Sequence, residues 1–341
     1  MRSWMNPAWR PPAAELVRFP ADERPMLLVV VDTEEEFDWS KPFDRASRGV
    51  THMREIGRLQ SLCDEFGVRP VYVIDHPIAT DPLAFEPLRA IHAQGRCEIG
   101  AHLHPWVTPP FDEELGPRNS YPGNLPRGLE RAKLAGLVGA IERNLGLRPR
   151  SYKAGRYGFG PNTAAALVEL GFACDLSFDP ACDLGADGGP DYSRFPAEPG
   201  WIDRQRGLLS IPTTGAFVGW AASAGLYGLG QRLRALRLPG LLSRLGAVER
   251  LHLSPEGYSL EHNRRLTRAL LARGVRTFTF ALHSPSVAAG HTPYVRTGRD
   301  RDELLASMRR YLDFFLRELG GVSLTAGELH RRLAPNPPTI A

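Results

Sequence analysis

Ionisable residues directly follow four short apolar segments of the 341-residue chain. They are Asp32 with Glu34 two residues later, His102 with His104 two residues later, Asp175 and His283. Alternate residues of an extended segment point to the same side, so His102 and His104 can hold one ion together, and Asp32 and Glu34 can share a face. Two imidazoles and a carboxylate leave one position of a catalytic zinc, or of a similar ion, free for water. The spacing therefore predicts a metal centre that activates water.

The segments that carry these residues alternate with helical ones, which predicts an α/β fold with a mainly parallel sheet. The predicted strands are 26–31, 69–74, 97–104, 151–154, 172–177, 208–211 and 275–283. The predicted helices are 50–66, 82–94, 129–145, 162–170, 260–272 and 300–319. Seven or eight strands over about 300 residues favour an irregular (β/α) barrel over an open sheet. Barrel strands present their carboxyl ends on one rim, so the ionisable residues should converge there.

The domain organisation follows from the same pattern. We predict an irregular lead-in at residues 1–24, a single barrel domain at 25–332 and a C-terminal tail at 333–341. No apolar run approaches the ~20 residues of a membrane span, and residues 1–12 lack the apolar core of a signal peptide. The four cysteines form no CxxC pair, and Cys97 and Cys174 are expected to be buried thiols, as in a reducing compartment. These features predict a cytoplasmic protein.

Charge gives little indication of a macromolecular partner. A net charge of +4 does not support nucleic-acid binding. The segment 231–250 places five arginines among leucines and could contact an anionic membrane surface. The alternative is a solvated basic helix packed on the barrel, which the Pro239-Gly240 interruption favours. The sequence leaves the oligomeric state open.

Five ordered motifs, spread over roughly residues 25–330, resemble those of the polysaccharide deacetylases of carbohydrate esterase family four (the NodB homology domain). The segments that carry the resemblance are Val30–Trp39, Glu98–Pro105, Tyr152–Gly158, Cys174–Phe178 and Leu282–Pro285. The resemblance implies a deformed (β/α) barrel, usually with seven strands. It also implies a metal-dependent hydrolase that removes an N-acyl group, commonly N-acetyl, from a sugar or polysaccharide.

The resemblance assigns a role to each matching residue. Asp32 would be the general base, with Glu34, His102 and His104 as ligands of one divalent ion, for which we expect zinc. His283 would protonate the leaving amine, and Asp175 would tune it. The remaining assignments concern the pocket: Leu282 would contact the acyl methyl group, and the loop at Arg156 and Tyr157 would offer a backbone N–H to the oxyanion. Lys153 stands where the family has the arginine that pairs with the base, so either Lys153 or Arg156 would pair with Asp32.

Aromatic and polar residues near the motifs have two interpretations each. Trp39, Trp106 and Tyr157 could stack on a sugar ring or could be packing residues. Glu35 and Glu36 are expected to be solvated, and His291 is left open. Structural or surface positions are expected for the other histidines, namely His52, His76, His92, His252, His262 and His330.

Two other functions remain open at this stage. The first is hydrolysis of another non-peptide C–N bond, such as that of a small cyclic amide. The second is a barrel that binds a glycan without turning it over. The presence of both Asp32 and His283 argues against a pure binding protein, because binding alone requires neither a base nor an acid.

Overall fold

Parallel strands form the centre of the computed structural model, which describes residues 15–219 and 249–334. The strands are β1 (Glu15–Leu16), β2 (Met26–Thr33), β3 (Val71–Ile74), β4 (Glu98–Leu103), β5 (Ser151–Ala154), β6 (Cys174–Asp175), β7 (Gly200–Asp203), β8 (Leu208–Ser210), β9 (Gly215–Val218), β10 (Glu249–His252), β11 (Thr277–His283) and β12 (Val322–Ser323). The main sheet has the order β1-β7-β8-β6-β5-β4-β3-β2-β11, and β12 pairs with the start of β2. Its pairs from β8 through β6, β5, β4, β3 and β2 to β11 are all parallel.

Helices cover the parallel strands, which explains why β2 consists almost entirely of apolar residues. All eight residues of β2 are buried, as expected for a strand with both faces covered. The helices are Ile56–Glu65, His76–Thr80, Pro82–Ala93, Arg127–Leu145, Thr163–Glu169, Leu260–Ala272, Gly298–Asp313 and Ala326–Leu333. Two predicted helix boundaries are present: the Ser259 side chain caps Leu260–Ala272, and Gly146 ends Arg127–Leu145 with a left-handed conformation.

The parallel part of the sheet ends at β8 on one side and at β11 on the other. Irregular backbone lies in the gap between these two strands. Leu253 N–H donates to Thr214 O at 2.8 Å, and Ala281 N–H donates to Leu253 O at 3.1 Å. The strands β9 and β10 form a separate antiparallel pair beside this connection. The predicted α/β fold, a deformed barrel with mainly parallel strands, is therefore confirmed, with one part of the barrel wall made by non-strand segments.

The structure departs from the sequence prediction mainly in short elements. Glu15–Leu16 pairs with β7, so the sheet already begins within the segment predicted to be irregular. The strands β7, β9, β10 and β12 were not predicted, because two to four residues are too short to show a periodicity. The predicted closing helix ends at Asp313 and continues as a π-helical turn at Phe314–Glu318. Most of the basic segment 231–250, and residues 335–341 of the tail, lie outside the described residues.

Two expectations about the whole chain can be compared with the described part. Cys97 and Cys174 are buried thiols, as predicted. Within residues 15–219 and 249–334, no helix combines the length and the apolar composition that a membrane span needs.

Candidate active site

Three buried side chains converge at the carboxyl ends of β2 and β4. Ligand atoms of Glu34, His102 and His104 all lie within 4.8 Å of one another. Glu34 Oε2 is 3.3 Å from His102 Nε2 and 3.4 Å from His104 Nε2. A carboxylate and two imidazoles in this arrangement form the donor set of a catalytic zinc site. The structure thus brings together the three residues that the sequence proposed as ligands.

Both imidazoles are held from behind, so that each directs Nε2 towards the common centre. His102 Nδ1 is 2.9 Å from the carbonyl oxygen of Lys153, and His104 Nδ1 is 2.8 Å from Glu35 Oε2. Such outer contacts fix the tautomer and the orientation of metal-binding histidines. Gly155 makes room for this arrangement, since a Cβ there would collide with the His104 ring and with Leu103 O.

A buried ion pair lies beside the ligands. Lys153 Nζ donates to both carboxylate oxygens of Asp32, at 2.7 and 2.6 Å, and both side chains are almost completely buried. Burial alone would raise the pKa of Asp32, but the charge of Lys153, with help from nearby histidines, lowers this pKa to about 2. Asp32 is therefore an ionised proton acceptor, and its cationic partner is Lys153.

His283, at the end of β11, is paired with Asp32 in the register of β11 with β2, so the two residues lie side by side on the cavity wall. Its Nε2 is 3.8 Å from Asp32 Oδ2, and its Nδ1 is 2.7 Å from Glu256 Oε2. Glu256 also accepts the His283 backbone N–H at 3.3 Å and the hydroxyl of Ser286. Burial lowers the pKa of His283, but the charges of Glu256 and Glu34 raise it to about 10, so the imidazole is protonated at neutral pH.

These groups line a cavity of about 210 Å³. Its wall consists of Asp32, Glu34, Trp39, His102, His104, Tyr121, Ala154, Arg156, Tyr157, Leu184 and His283. Trp39 and Tyr157, two of the residues proposed to contact substrate, are therefore on the wall. Trp39 is 52% exposed and so is accessible to a ligand at the mouth.

Trp106 follows the packing interpretation, because it is buried and its ring stacks on the His104 ring, with centroids 4.3 Å apart, behind a proposed ligand. Two other proposed site residues, Leu282 and Asp175, occupy different surroundings from those expected. Leu282 is 1% exposed and belongs to the hydrophobic core. Asp175 is buried, its carboxylate accepts hydrogen bonds from the Ser177 hydroxyl and N–H, and the contact to His283 that was expected of it is made by Glu256. Burial raises the pKa of Asp175 to about 7.

Arg156 contacts the loops around the cavity mouth. Its guanidinium pairs with Asp187 and lies over the Tyr121 ring at 4.2 Å. The proposed alternative, in which Arg156 pairs with the base, is thus replaced by the Lys153–Asp32 pair. Arg156 and Tyr157 both have positive φ angles, 53° and 59°, which are uncommon for residues with a Cβ.

Four acidic residues that support the site were not predicted from the sequence: Glu35, Glu36, Asp75 and Glu256. Glu35 and Glu36 were expected to be solvated, but Glu35 is completely buried against His104, and Glu36 accepts hydrogen bonds from His52. Asp75 accepts the Glu35 N–H at 2.8 Å. Asp75 follows β3 directly, so the rule that identified Asp32 would have identified it too. Glu256 has no comparable signal, because it lies in an irregular segment between β10 and a helix.

The remaining histidines lie outside the cavity wall described above. His52 Nε2 is 2.8 Å from Ser284 Oγ, which in turn accepts the Glu34 N–H at 3.2 Å. His52 is thus a structural residue that holds the backbone of a proposed ligand. His291, which the sequence left open, has Nδ1 3.6 Å from Glu36 Oε1.

The fold is shared with solved enzyme structures, although no model of a known protein family and no curated protein matches the sequence. A candidate polysaccharide deacetylase from Mycobacterium smegmatis aligns with a TM-score of 0.55 and 16% identity, over 95% of this chain and 94% of that one. Puue allantoinase aligns at 0.53 and 15%, over 92% and 91%. A second candidate polysaccharide deacetylase, from Pseudomonas aeruginosa PAO1, aligns at 0.53 and 16%, over 92% of each chain. The resemblance drawn from the five motifs is confirmed at the level of the fold, which is that of the polysaccharide deacetylases.

Proposed function

We propose that the protein is a metal-dependent hydrolase that removes an N-acyl group, most simply N-acetyl, from a sugar or glycan. One observation carries the proposal: Glu34, His102 and His104 converge on the wall of a cavity that also holds Asp32 and His283, whose Nε2 lies 3.8 Å from Asp32 Oδ2. A base and an acid beside an ion are the groups that amide hydrolysis requires.

Glu34, His102 and His104 would hold one divalent ion, for which we propose zinc. Mixed imidazole and carboxylate donors suit this ion, and a catalytic site leaves a position open. When bound, the ion would polarise the substrate carbonyl and lower the pKa of water. The Nδ1 atom of each histidine already contacts an oxygen atom. This contact supports the assignment, because Nε2 is then the nitrogen that can bind the ion.

The two proton transfers would be divided between Asp32 and His283. Asp32, kept ionised by Lys153, would accept a proton from the water that attacks the acyl carbon. His283 Nε2 would donate a proton to the amide nitrogen as the C–N bond breaks, which releases a carboxylic acid and a free amine. Glu256, which fixes Nδ1 of His283, keeps the donating atom directed towards the cavity.

The polymer or sugar would be recognised by the aromatic part of the wall. Trp39, Tyr121 and Tyr157 present ring surfaces there, and such rings pack against the apolar faces of sugars. The loop at Arg156 and Tyr157 would supply the backbone N–H for the oxyanion, as the family resemblance implies.

A second candidate activity is hydrolysis of the C–N bond of a small cyclic amide. It is favoured by a cavity of only about 210 Å³ and by a fold likeness to an allantoinase as close as that to the deacetylases. Asp32 as the base and His283 as the acid would serve either reaction.

The test is a comparison of substrates with zinc-loaded protein. N-acetylated sugars, small cyclic amides and N-acetylated glycans are incubated separately, and acetate or ring-opened product is measured. We expect acetate from the N-acetylated sugars, and turnover lower by about 10²–10⁴-fold in Asp32→Asn. Ring opening without acetate release would select the second candidate. A glycan that binds but keeps its acetyl groups through long incubation would exclude both activities.

A further inference from the structure

We infer that the cavity accepts a single sugar unit or the terminal unit of a glycan, and excludes interior units of a polymer. This inference rests on the proposed function, because it names the substrate class of the same site. It is carried by four loops, which we call the rim arc: residues 34–50 after β2, 104–126 after β4, 155–162 after β5 and 176–199 after β6.

Arg156 links all four loops of the rim arc. Its guanidinium lies over the rings of Trp39 and Phe43, at 5.7 and 5.6 Å, and over Tyr121 at 4.2 Å. Nη1 donates to Ser120 Oγ at 2.5 Å, and Nη2 pairs with Asp187. One side chain therefore joins the loops that follow β2, β4, β5 and β6 into a continuous wall.

Further contacts seal the joints between neighbouring loops. Gly123 N–H donates to Gly158 O at 2.7 Å, and Gly123 approaches Gly160 so closely that neither position has room for a Cβ. Asn124 Nδ2 donates to Gly188 O at 2.8 Å. Tyr121 OH donates to Asp187 at 3.1 Å. These contacts leave no gap through which a sugar chain could pass between neighbouring loops.

The rim arc bounds the cavity along one part of the sheet, which restricts the exits open to a substrate. In the sheet order, β2 to β6 are neighbours, and the loops after four of these five strands form the arc and contribute Trp39, Tyr121, Arg156 and Leu184 to the cavity wall. Among the described residues, the remaining sector lies between β6 and β11. An interior unit would need a second exit for the chain on its other side. The cavity of about 210 Å³ is also below the ~300–1,000 Å³ of typical ligand pockets, which suits one small unit.

The experiment uses the full-length zinc-loaded protein and a β-1,4-linked hexamer of N-acetylglucosamine with a fluorophore at its reducing end. Tandem mass spectrometry locates the unit that first loses its acetyl group. We expect loss at a terminal unit only, and measurable release from the N-acetylglucosamine monomer. First loss at interior units would overturn the inference while supporting the proposed function. No acetate from monomer, hexamer or polymer would contradict the proposed function itself, and the inference would fall with it.

A variant that loosens the wall tests the cause. Asp187→Asn removes the charge that holds Arg156 but keeps the side-chain size, and Asp187 is 53% exposed, so folding should persist. We expect interior loss, which the wild type should not show, to become detectable in this variant. Asn124→Ala, which breaks another joint, should act in the same direction. Asp302→Asn, which breaks an exposed Arg–Asp pair on the helix Gly298–Asp313, is the matched control and should leave the pattern unchanged. The same pattern of acetyl loss in the wild type and in all three variants would overturn the role of the rim arc.

Discussion

Two histidines on the cavity wall make the same kind of contact but differ in charge, because His104 is neutral and His283 is protonated at neutral pH. His104 and His283 each place Nδ1 within 2.8 Å of a glutamate oxygen and turn Nε2 to the cavity. Burial lowers the pKa of His104 below its usual value, whereas the Glu256 charge overcomes burial at His283 and raises the pKa to about 10. A neutral imidazole is a metal ligand and a protonated one is an acid, so the surroundings divide the two functions.

The carboxyl groups behind the two imidazoles explain the difference. Behind His104, burial raises the pKa of Glu35 to about 7, and the adjacent Asp75 has a pKa well above its usual value. The pair therefore retains at least one proton near neutral pH and presents less negative charge to His104 than two ionised carboxylates would. The His104 side chain is also 2% exposed, against 38% for His283, which is open to a substrate. In the proposed function, the side chains at the ends of β2 and β4 form the ligand side of the cavity, and His283 at the end of β11 forms its acid side.

The largest effect should come from the ligand side. Replacing both His102 and His104 by Ala leaves Glu34 as the single remaining ligand of the three, too weak for stoichiometric binding. We expect metal analysis to fall from one ion per chain to background, with loss of all turnover. His92→Ala is the control, since its Nδ1 bonds Cys97 O elsewhere in the fold. Full occupancy in the double variant would show that these histidines are not the ligands.

The next effect separates the base from the carboxylate ligand. Asp32→Asn should keep the ion and lower turnover by about 10²–10⁴-fold, the usual contribution of general base catalysis. Glu34→Gln should instead weaken metal affinity, and excess metal should restore part of the activity. Metal titration and kinetics distinguish the two variants. If the phenotypes are exchanged, Asp32 is the ligand and the alignment of the first motif must shift.

The sequence locates the residues at the ends of regular strands but not the acidic residues that support them, and the reason is physical. Asp32, His102 and His283 lie at the carboxyl ends of regular strands, so apolar patterning locates them and the barrel topology brings them together. Glu256 follows no regular strand, and only the folded path of the irregular backbone near Leu253 places it behind His283. Similarly, the burial of Glu35 depends on Asp75 and His104 from other strands, which no local pattern in an acidic run can reveal.

A smaller effect should come from the acid side. Glu256→Gln keeps the shape but removes the charge that raises the pKa of His283, so the imidazole should lose its proton at lower pH. We expect turnover to fall by about 10–100-fold and the alkaline limb of the pH profile to move down by about one or two units. The measurement is kcat/KM against pH. His283→Ala should retain the metal, and a double variant that loses clearly more than His283→Ala would show that Glu256 acts independently of this histidine.

The smallest effect tests the general rule that burial sets ionisation, at a carboxyl group away from the cavity. Glu130 is 1% exposed, bonds the Thr163 hydroxyl, and has a pKa that burial raises to about 7. Because the folded state holds this proton more tightly than the unfolded state, Glu130 lowers stability as pH rises from about 4.5 to about 7. Glu130→Gln removes that loss, so its gain over the wild type should be about 1–3 kcal/mol larger at pH 8 than at pH 4. Parallel denaturation profiles of the two proteins across this range would refute the assignment.

The most direct test of the account is the position of the ion. Crystals of zinc-loaded protein, with anomalous diffraction recorded on both sides of the zinc absorption edge, locate the metal without reference to activity. We predict one strong peak among Glu34, His102 Nε2 and His104 Nε2, with Asp32 still paired to Lys153. A peak bound by His283, or one among Glu35, Asp75 and His104 Nδ1, or none in crystals grown with excess zinc, would contradict it.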